Sequence, residues 1–171
     1  VIGSLVMTVL GPDRPGIVEA VADLVCLHNG NWKESRLAHI QDQFAGIIEV
    51  SIDSDAKQDF LDALPGLYQS HQLQCHVSEA AGAEGEGRLV TLECIGQDRP
   101  GIVFAVSDIL NEAEANVESM DTRYQNAPMS GEQLFCATFK VRLPGHVDVN
   151  DLEEKLSRIG QELMLDVQFE E

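Results

Sequence analysis

The sequence predicts an α+β protein made of two tandem ferredoxin-like βαββαβ modules, each an antiparallel sheet with its helices on one face. Three observations carry that expectation. An eight-residue stretch occurs twice: Gly11-Pro12-Asp13-Arg14-Pro15-Gly16-Ile17-Val18 returns as Gly96-Gln97-Asp98-Arg99-Pro100-Gly101-Ile102-Val103, at an offset of 85 in a chain of 171 residues. Pro12 against Gln97 is the one difference, and a match this close at half the chain length points to duplication. An apolar stripe of helical period follows each copy, and strand-like alternation precedes and follows each stripe. The resulting division is a first module over 1–79, a linker over 80–87 and a second module over 88–171.

The elements follow in order. Leu5, Met7 and Val9 mark a buried first strand, matched by Val90, Leu92 and Cys94. The Gly-x-Asp-Arg-Pro-Gly stretch then breaks the strand. Asp13 is expected to accept backbone N–H bonds at a helix start, and Pro15 to sit in the first helical turn. The helix carries Ile17, Val18, Val21, Leu24 and Val25 toward a sheet, as does Ile102, Val103, Val106, Ile109 and Leu110 in the second copy. Asn29-Gly30-Asn31 reads as the end of the first helix.

A strand over 32–40 and a turn near Gln41-Asp42-Gln43 lead to a strand alternating through Phe44, Gly46, Ile48, Val50 and Ile52. Its counterpart runs through Phe135, Ala137, Phe139, Val141 and Leu143, after a longer Pro/Gly/Ser-bearing connection over 125–133. A second helix carries Phe60, Leu61, Leu64, Leu67 and Tyr68, with a kink or break expected at Pro65; its counterpart carries Leu152, Leu156 and Ile159. The last strands hold Leu73, Cys75 and Val77, then Leu163, Leu165, Val167 and Phe169. Both helices of a module lie on one face, which leaves the other open. Trp32 and alternate residues of the hairpin strands are expected near that open face.

Composition narrows the function. Eleven basic against 29 acidic residues give a formal charge of −18. Binding to nucleic acid leans on Lys and Arg neutralising phosphates, so direct nucleic-acid contact is not expected, nor is attraction to an anionic membrane. The cysteines Cys26, Cys75, Cys94 and Cys136 form no CxxC pair and read as buried free thiols of a reducing compartment. With no apolar run of membrane-spanning length and no signal-peptide pattern, the expected location is the cytoplasm, an organelle being the alternative.

The repeated loop is the candidate site. A glycine after a proline at a helix start lets the backbone approach a ligand, and the free N–H groups with the helix dipole favour an anion. A small carboxylate, such as an amino acid, suits such an end. Asn31 and Asn116 open the following strands and are expected beside the same end, where an amide can bond a carboxylate and an ammonium group. The competing reading is that Asp-x-Pro-Gly is only a good way to begin a helix.

The Asp-Arg-Pro-Gly-Ile-Val run after a strand, with its helix and Asn-opened strand, resembles the ACT domain in both halves. Two such modules without an attached enzyme resemble the glycine cleavage system transcriptional repressor group, as do Glu118–Arg123 and Ala127–Gly131. The resemblance implies regulatory amino-acid binding between the first strand–helix loop of one module and the second strand of a neighbour. On matching positions it implies Asp13, Arg14, Gly16, Ile17 and Asn31 as ligand-binding residues, with Asp98, Arg99, Gly101, Ile102 and Asn116 in the second module. Glycine and serine are the candidate ligands, and a homodimer or pairing of the two modules is the expected assembly. Without a helix-turn-helix of its own, the chain would act on transcription or glycine metabolism through a regulator protein.

Other chemistry finds little footing. His28, His39, His71, His76 and His146 form no metal-binding spacing, and no Walker A or Gly-x-Ser-x-Gly sequence occurs. No catalytic residue, metal or cofactor is therefore assigned. Similar modules are fused to phosphoserine phosphatase and formyltetrahydrofolate deformylase, but the chain is too short to hold either catalytic domain. The alternatives are a partner-binding module without ligand and a small enzyme on the same fold.

Overall fold

The computed structural model describes residues 2–80, 82, 85–127 and 130–170. The chain divides into two units, Val1–Gly82 and Ala83–Glu171. In the first, β1 (Ile2–Pro12), α1 (Ile17–Leu27), β2 (Asn31–Ile40), β3 (Gln43–Asp53), α2 (Ser54–Ala63), α3 (Pro65–His71) and β4 (Gln74–Glu79) follow one another. The second has β5 (Arg88–Gln97), α4 (Ile102–Glu112), β6 (Asn116–Asn126), β7 (Gln133–Leu143), α5 (Val149–Leu163) and β8 (Leu165–Glu170). Each sheet has four strands, in the orders β2-β3-β1-β4 and β6-β7-β5-β8, and every pairing is antiparallel. Of the expected linker, residues 81, 83 and 84 lie outside the described residues.

Each unit has its own core. In the first, Leu5, Met7 and Val9 of β1 meet Ile48, Val50 and Ile52 of β3 under Ile17, Val21 and Val25 of α1, with Phe60 and Leu67 from the later helices. The second repeats the arrangement with Val90, Leu92 and Cys94 under Val106 and Leu110, with Leu152 and Leu156 from α5. The buried positions of α1 are spaced i, i+4, i+8; Val18, placed on the stripe by the sequence, is instead 47% exposed. A helix advances about 100° per residue, so its neighbour Ile17 takes the core direction and turns Val18 away.

Both first helices end in a Schellman motif. In α1 the Gly30 N–H donates to the Val25 carbonyl at 2.8 Å and the Asn29 N–H to that of Cys26 at 3.0 Å. In α4 the Ala115 N–H donates to Leu110 and the Glu114 N–H to Asn111, both at 2.9 Å. The left-handed residue is Asn29 (φ 52°) or Glu114 (φ 53°), not the glycine.

Pro65 divides the second helix of the first unit into α2 and α3, and becomes the first residue of α3. Leu163 ends α5 rather than joining the last strand, because Met164 turns left-handed and stops the helix there. Trp32 lies on the core side, opposite Val50, and packs against the buried cluster. A register shift between Trp32 and Ser35 is the reason: strict alternation would put Trp32 and Leu37 on opposite faces, and the bulge brings both to the core. The second unit has its shift at the corresponding place, between Val117 and Ser119.

Gly11 and Gly96 are needed for close approach. A Cβ on Gly11 would lie 2.8 Å from the Gln72 carbonyl oxygen, and one on Gly96 2.5 Å from that of Met164. Gly11→Ala is therefore expected to lower stability by about 1–3 kcal/mol in urea unfolding. Gly66→Ala, within α3 and with no atom in the way, is expected to hold or raise it by up to about 1 kcal/mol. Burial pushes the pKa of the Cys94 thiol up to about 11 and raises that of Cys75, while Cys26, expected to be buried, is exposed because its neighbour Val25 takes the core direction of α1. Titration of the native protein with an aromatic disulfide at pH 8 should modify Cys26 first and reach Cys94 only on unfolding.

Candidate functional site

The strand pairing gives each unit two poles. β1 runs toward the repeated loop, where Pro12 faces Gln43 and Leu10 faces Gln74. The other pole holds Ile2 opposite Asp53 and Asn31 opposite Ser51. The expectation that Asn31 lies beside the loop is thus overturned. The eleven residues of α1 carry the chain about 16 Å back across the sheet before β2 begins. Asn116 is placed likewise, opposite Arg142 at the pole where Arg88 pairs with Leu143. Within one unit, the loop and the asparagine cannot hold the same small molecule.

At the loop pole the backbone differs from the expected cap. Gly16, not Asp13, is the N-cap of α1, with φ 91° and no side-chain cap hydrogen bond. Gly101 does the same for α4 at φ 94°. Pro15 lies in the turn before the helix rather than in its first turn. The left-handed glycine swings the chain into the helix by itself, so no side chain folds over the helix start. Among the described residues, the helix-start N–H groups stay uncapped by a side chain, while Gly16 and Gly101 accept the first intrahelical bonds from Ala20 and Ala105, each at 2.9 Å. Ile17 and Ile102 are buried beneath this turn and anchor it.

The loop aspartates are held from β2 and the turn after it in the first unit, and from β6 in the second. The Asp13 N–H donates to the Asp42 carbonyl at 2.8 Å, and its carboxylate lies 3.9 Å from His39 Nδ1. In the second unit the Tyr124 hydroxyl donates to Asp98 Oδ2 at 3.4 Å. His39 and Tyr124 stand at the same repeat offset as the loops, so they are equivalent positions with different chemistry.

The arginines turn toward the left-handed residue after the second helix. Arg14 donates to Gln72 Oε1 at 2.6 Å, and Arg99 approaches Met164 Sδ at 3.1 Å. Gln72 has φ 58° and Met164 φ 54°. Among the described residues, neither guanidinium forms an ion pair, whereas Arg142 and Arg158 do. His71 stands beside Gly16: a Cβ there would be 4.0 Å from His71 Nε2, while one on Gly101 would meet nothing within 4 Å.

The structure therefore joins Asp13, Arg14, Gly16 and Ile17 at one pole, and Asp98, Arg99, Gly101 and Ile102 at the other unit's equivalent pole. It leaves out Asn31 and Asn116. Sequence reasoning missed His39, His71 and Gln72, and Tyr124 and Met164. The signal for His39 and Tyr124 was the repeat offset, hidden because the residues differ. No group of described His, Cys, Asp or Glu side chains is arranged to hold a metal ion. No helix among the described residues is long and apolar enough to cross a membrane.

Such βαββαβ units, each with an uncapped helix start at its strand–helix loop, define the ferredoxin-like class of small α+β domain. The ACT domain profile matches residues 4–78, the first unit. The UPF0237 protein MK1213 of Methanopyrus kandleri is 38% identical over 74 residues, covering 43% of this chain and 76% of the relative. The chain belongs to the ACT domain family. A crystal structure of an unknown protein from Galdieria sulphuraria, 30% identical, matches 99% of this chain and 98% of its own with a TM-score of 0.83. A candidate glycine cleavage system transcriptional repressor, 20% identical with a TM-score of 0.69, covers 99% of this chain and 97% of its own and shares the fold.

Left-handed φ suits Gly16 and Gly101 and would strain any residue with a Cβ. Gly101→Ala meets no steric neighbour and is expected to cost about 1–2 kcal/mol from backbone conformation alone. Arg14→Ala and Arg99→Ala, on the surface, should stay within about 0.5 kcal/mol of the parent. Urea unfolding monitored by circular dichroism checks both.

Proposed function

We propose that the chain is a non-enzymatic regulatory protein that binds a small amino acid at the open loops of its units. The observation carrying this reading is the pair of loop arginines: in a chain with 29 acidic residues, neither guanidinium is taken by a carboxylate among those described. Beside each lies a helix start uncapped by any side chain. A ligand carboxylate suits the guanidinium and helix N–H groups, and its ammonium suits Asp13 or Asp98. Domains of this family bind amino acids in regulation, which agrees with that division of labour.

The placement of Asn31 and Asn116 away from the loops supports a site completed by a neighbouring module. An amide from the second strand of one module would meet the loop of another, in a homodimer or by pairing of the two modules. Binding would then favour one packing over another, with a coupling set by the difference in affinity for the two. Likeness in fold to a candidate glycine cleavage repressor makes glycine and serine the first ligands to try. It also suggests an output in gene expression or amino-acid metabolism, delivered through a protein partner because the acidic chain does not suit DNA.

A second reading has its own observation. Gly11 and Gly96 serve close approach, and Gly16 and Gly101 serve left-handed turns, so the glycines of the repeated stretch are accounted for without a ligand. On that reading the units only dock a partner. Calorimetry against each of the twenty amino acids at millimolar concentration, with sedimentation in parallel, separates the two. The sensor reading expects heat from one or a few small amino acids, a change in assembly, and loss of both in Arg14→Ala, Arg99→Ala. Silence toward all twenty would leave the docking reading in place.

A further inference from the structure

The duplication supplies a control for what the fold needs. Where α1 carries Glu19, α4 carries Phe104 at the same repeat offset, and the ring is 74% exposed. An acid is accepted there in the first unit, so packing does not call for the aromatic. Phe104 walls a groove of about 450 Å³ between α4 and α5, floored by Ala105, Ile109 and Ile159. In the first unit the corresponding second helix breaks at Pro65, so the combination of ring and continuous helix belongs to the second unit.

The rim of the groove is charged, and its bases are already engaged. Lys155 lies 3.9 Å from Glu112, and Arg158 donates to Glu154 at 3.3 Å. Asp108, one turn along from Phe104, and Glu162 on the facing helix have no partner among the described residues. The groove thus offers one large apolar side chain flanked by two free carboxylates.

We infer that this groove docks a basic amphipathic helix of a partner protein, with an apolar residue over Phe104 and Lys or Arg side chains against Asp108 and Glu162. A second copy of the chain is the poorer occupant of this groove, since its own α4 and α5 would bring further carboxylates toward Asp108 and Glu162. The inference does not depend on whether the loops bind an amino acid.

The test uses a fluorescent Leu/Lys amphipathic helical peptide, a scrambled peptide of the same composition, and the full chain without amino acid, read by anisotropy. The decisive variant is Phe104→Glu, which restores the residue type of the first unit and adds negative charge. Docking in the groove predicts affinity about tenfold weaker for Phe104→Glu, a comparable loss in Asp108→Lys, and little binding of the scrambled peptide. Attraction by diffuse charge predicts the opposite sign for Phe104→Glu. Unchanged or tighter binding by that variant, or equal binding of the scrambled peptide, overturns the proposal. So does sedimentation showing that Phe104→Glu splits a dimer, which would make a second copy the occupant.

Discussion

One close contact organises each unit: the carbonyl that ends the second helix lies against the first glycine of the repeated loop. Gln72 over Gly11 and Met164 over Gly96 use the same geometry, with a left-handed residue turning its carbonyl toward a strand that has no Cβ to obstruct it. The contact brings the end of the second helix beside the start of the first. It therefore sets where Arg14 and Arg99 find their tethers, and it lets β4 and β8 pair alongside β1 and β5. Remove the space at this glycine and the helix end, the arginine and the last strand must all shift together.

The fold was legible because the repeat and the two periodicities agree with one another. The stripe Ile17, Val21, Val25 and the alternation Phe44 to Ile52 each name a face, and a βαββαβ order leaves few ways to combine them. The failures have specific causes. Trp32 was misplaced because a bulge inserts a residue that alternation does not announce. Asp13 was misread as a cap because Gly16 does the turning with its backbone. Asn31 lies at the far pole because adjacency in sequence is not adjacency in space across a helix that spans the sheet.

Within the candidate site, identity between copies marked the backbone devices, and difference marked the chemistry. Gly11, Gly16 and their counterparts could be found by matching. His39 against Tyr124 could not, since a matching search discards positions that differ; nor could His71 against Leu163 and Gln72 against Met164, which stand 92 apart rather than 85 chiefly because the second hairpin connection is longer. These pairs make the first loop pole polar and imidazole-bearing and the second more apolar. The two ends of the duplication have thus kept a scaffold and diverged in what surrounds it, as has the helix surface carrying Glu19 in one unit and Phe104 in the other.

The bulges after Trp32 and Val117 reach beyond the placement of a tryptophan. β2 and β6 are the outer strands of their sheets, and the opposite outer strands, β4 and β8, have six residues each. The shift interrupts regular pairing near the start of β2 and β6, and the short β4 and β8 limit it on the opposite margin. A strand added along the full length of either margin would have to bend at the kink or stop short, which works against open-ended stacking of these sheets.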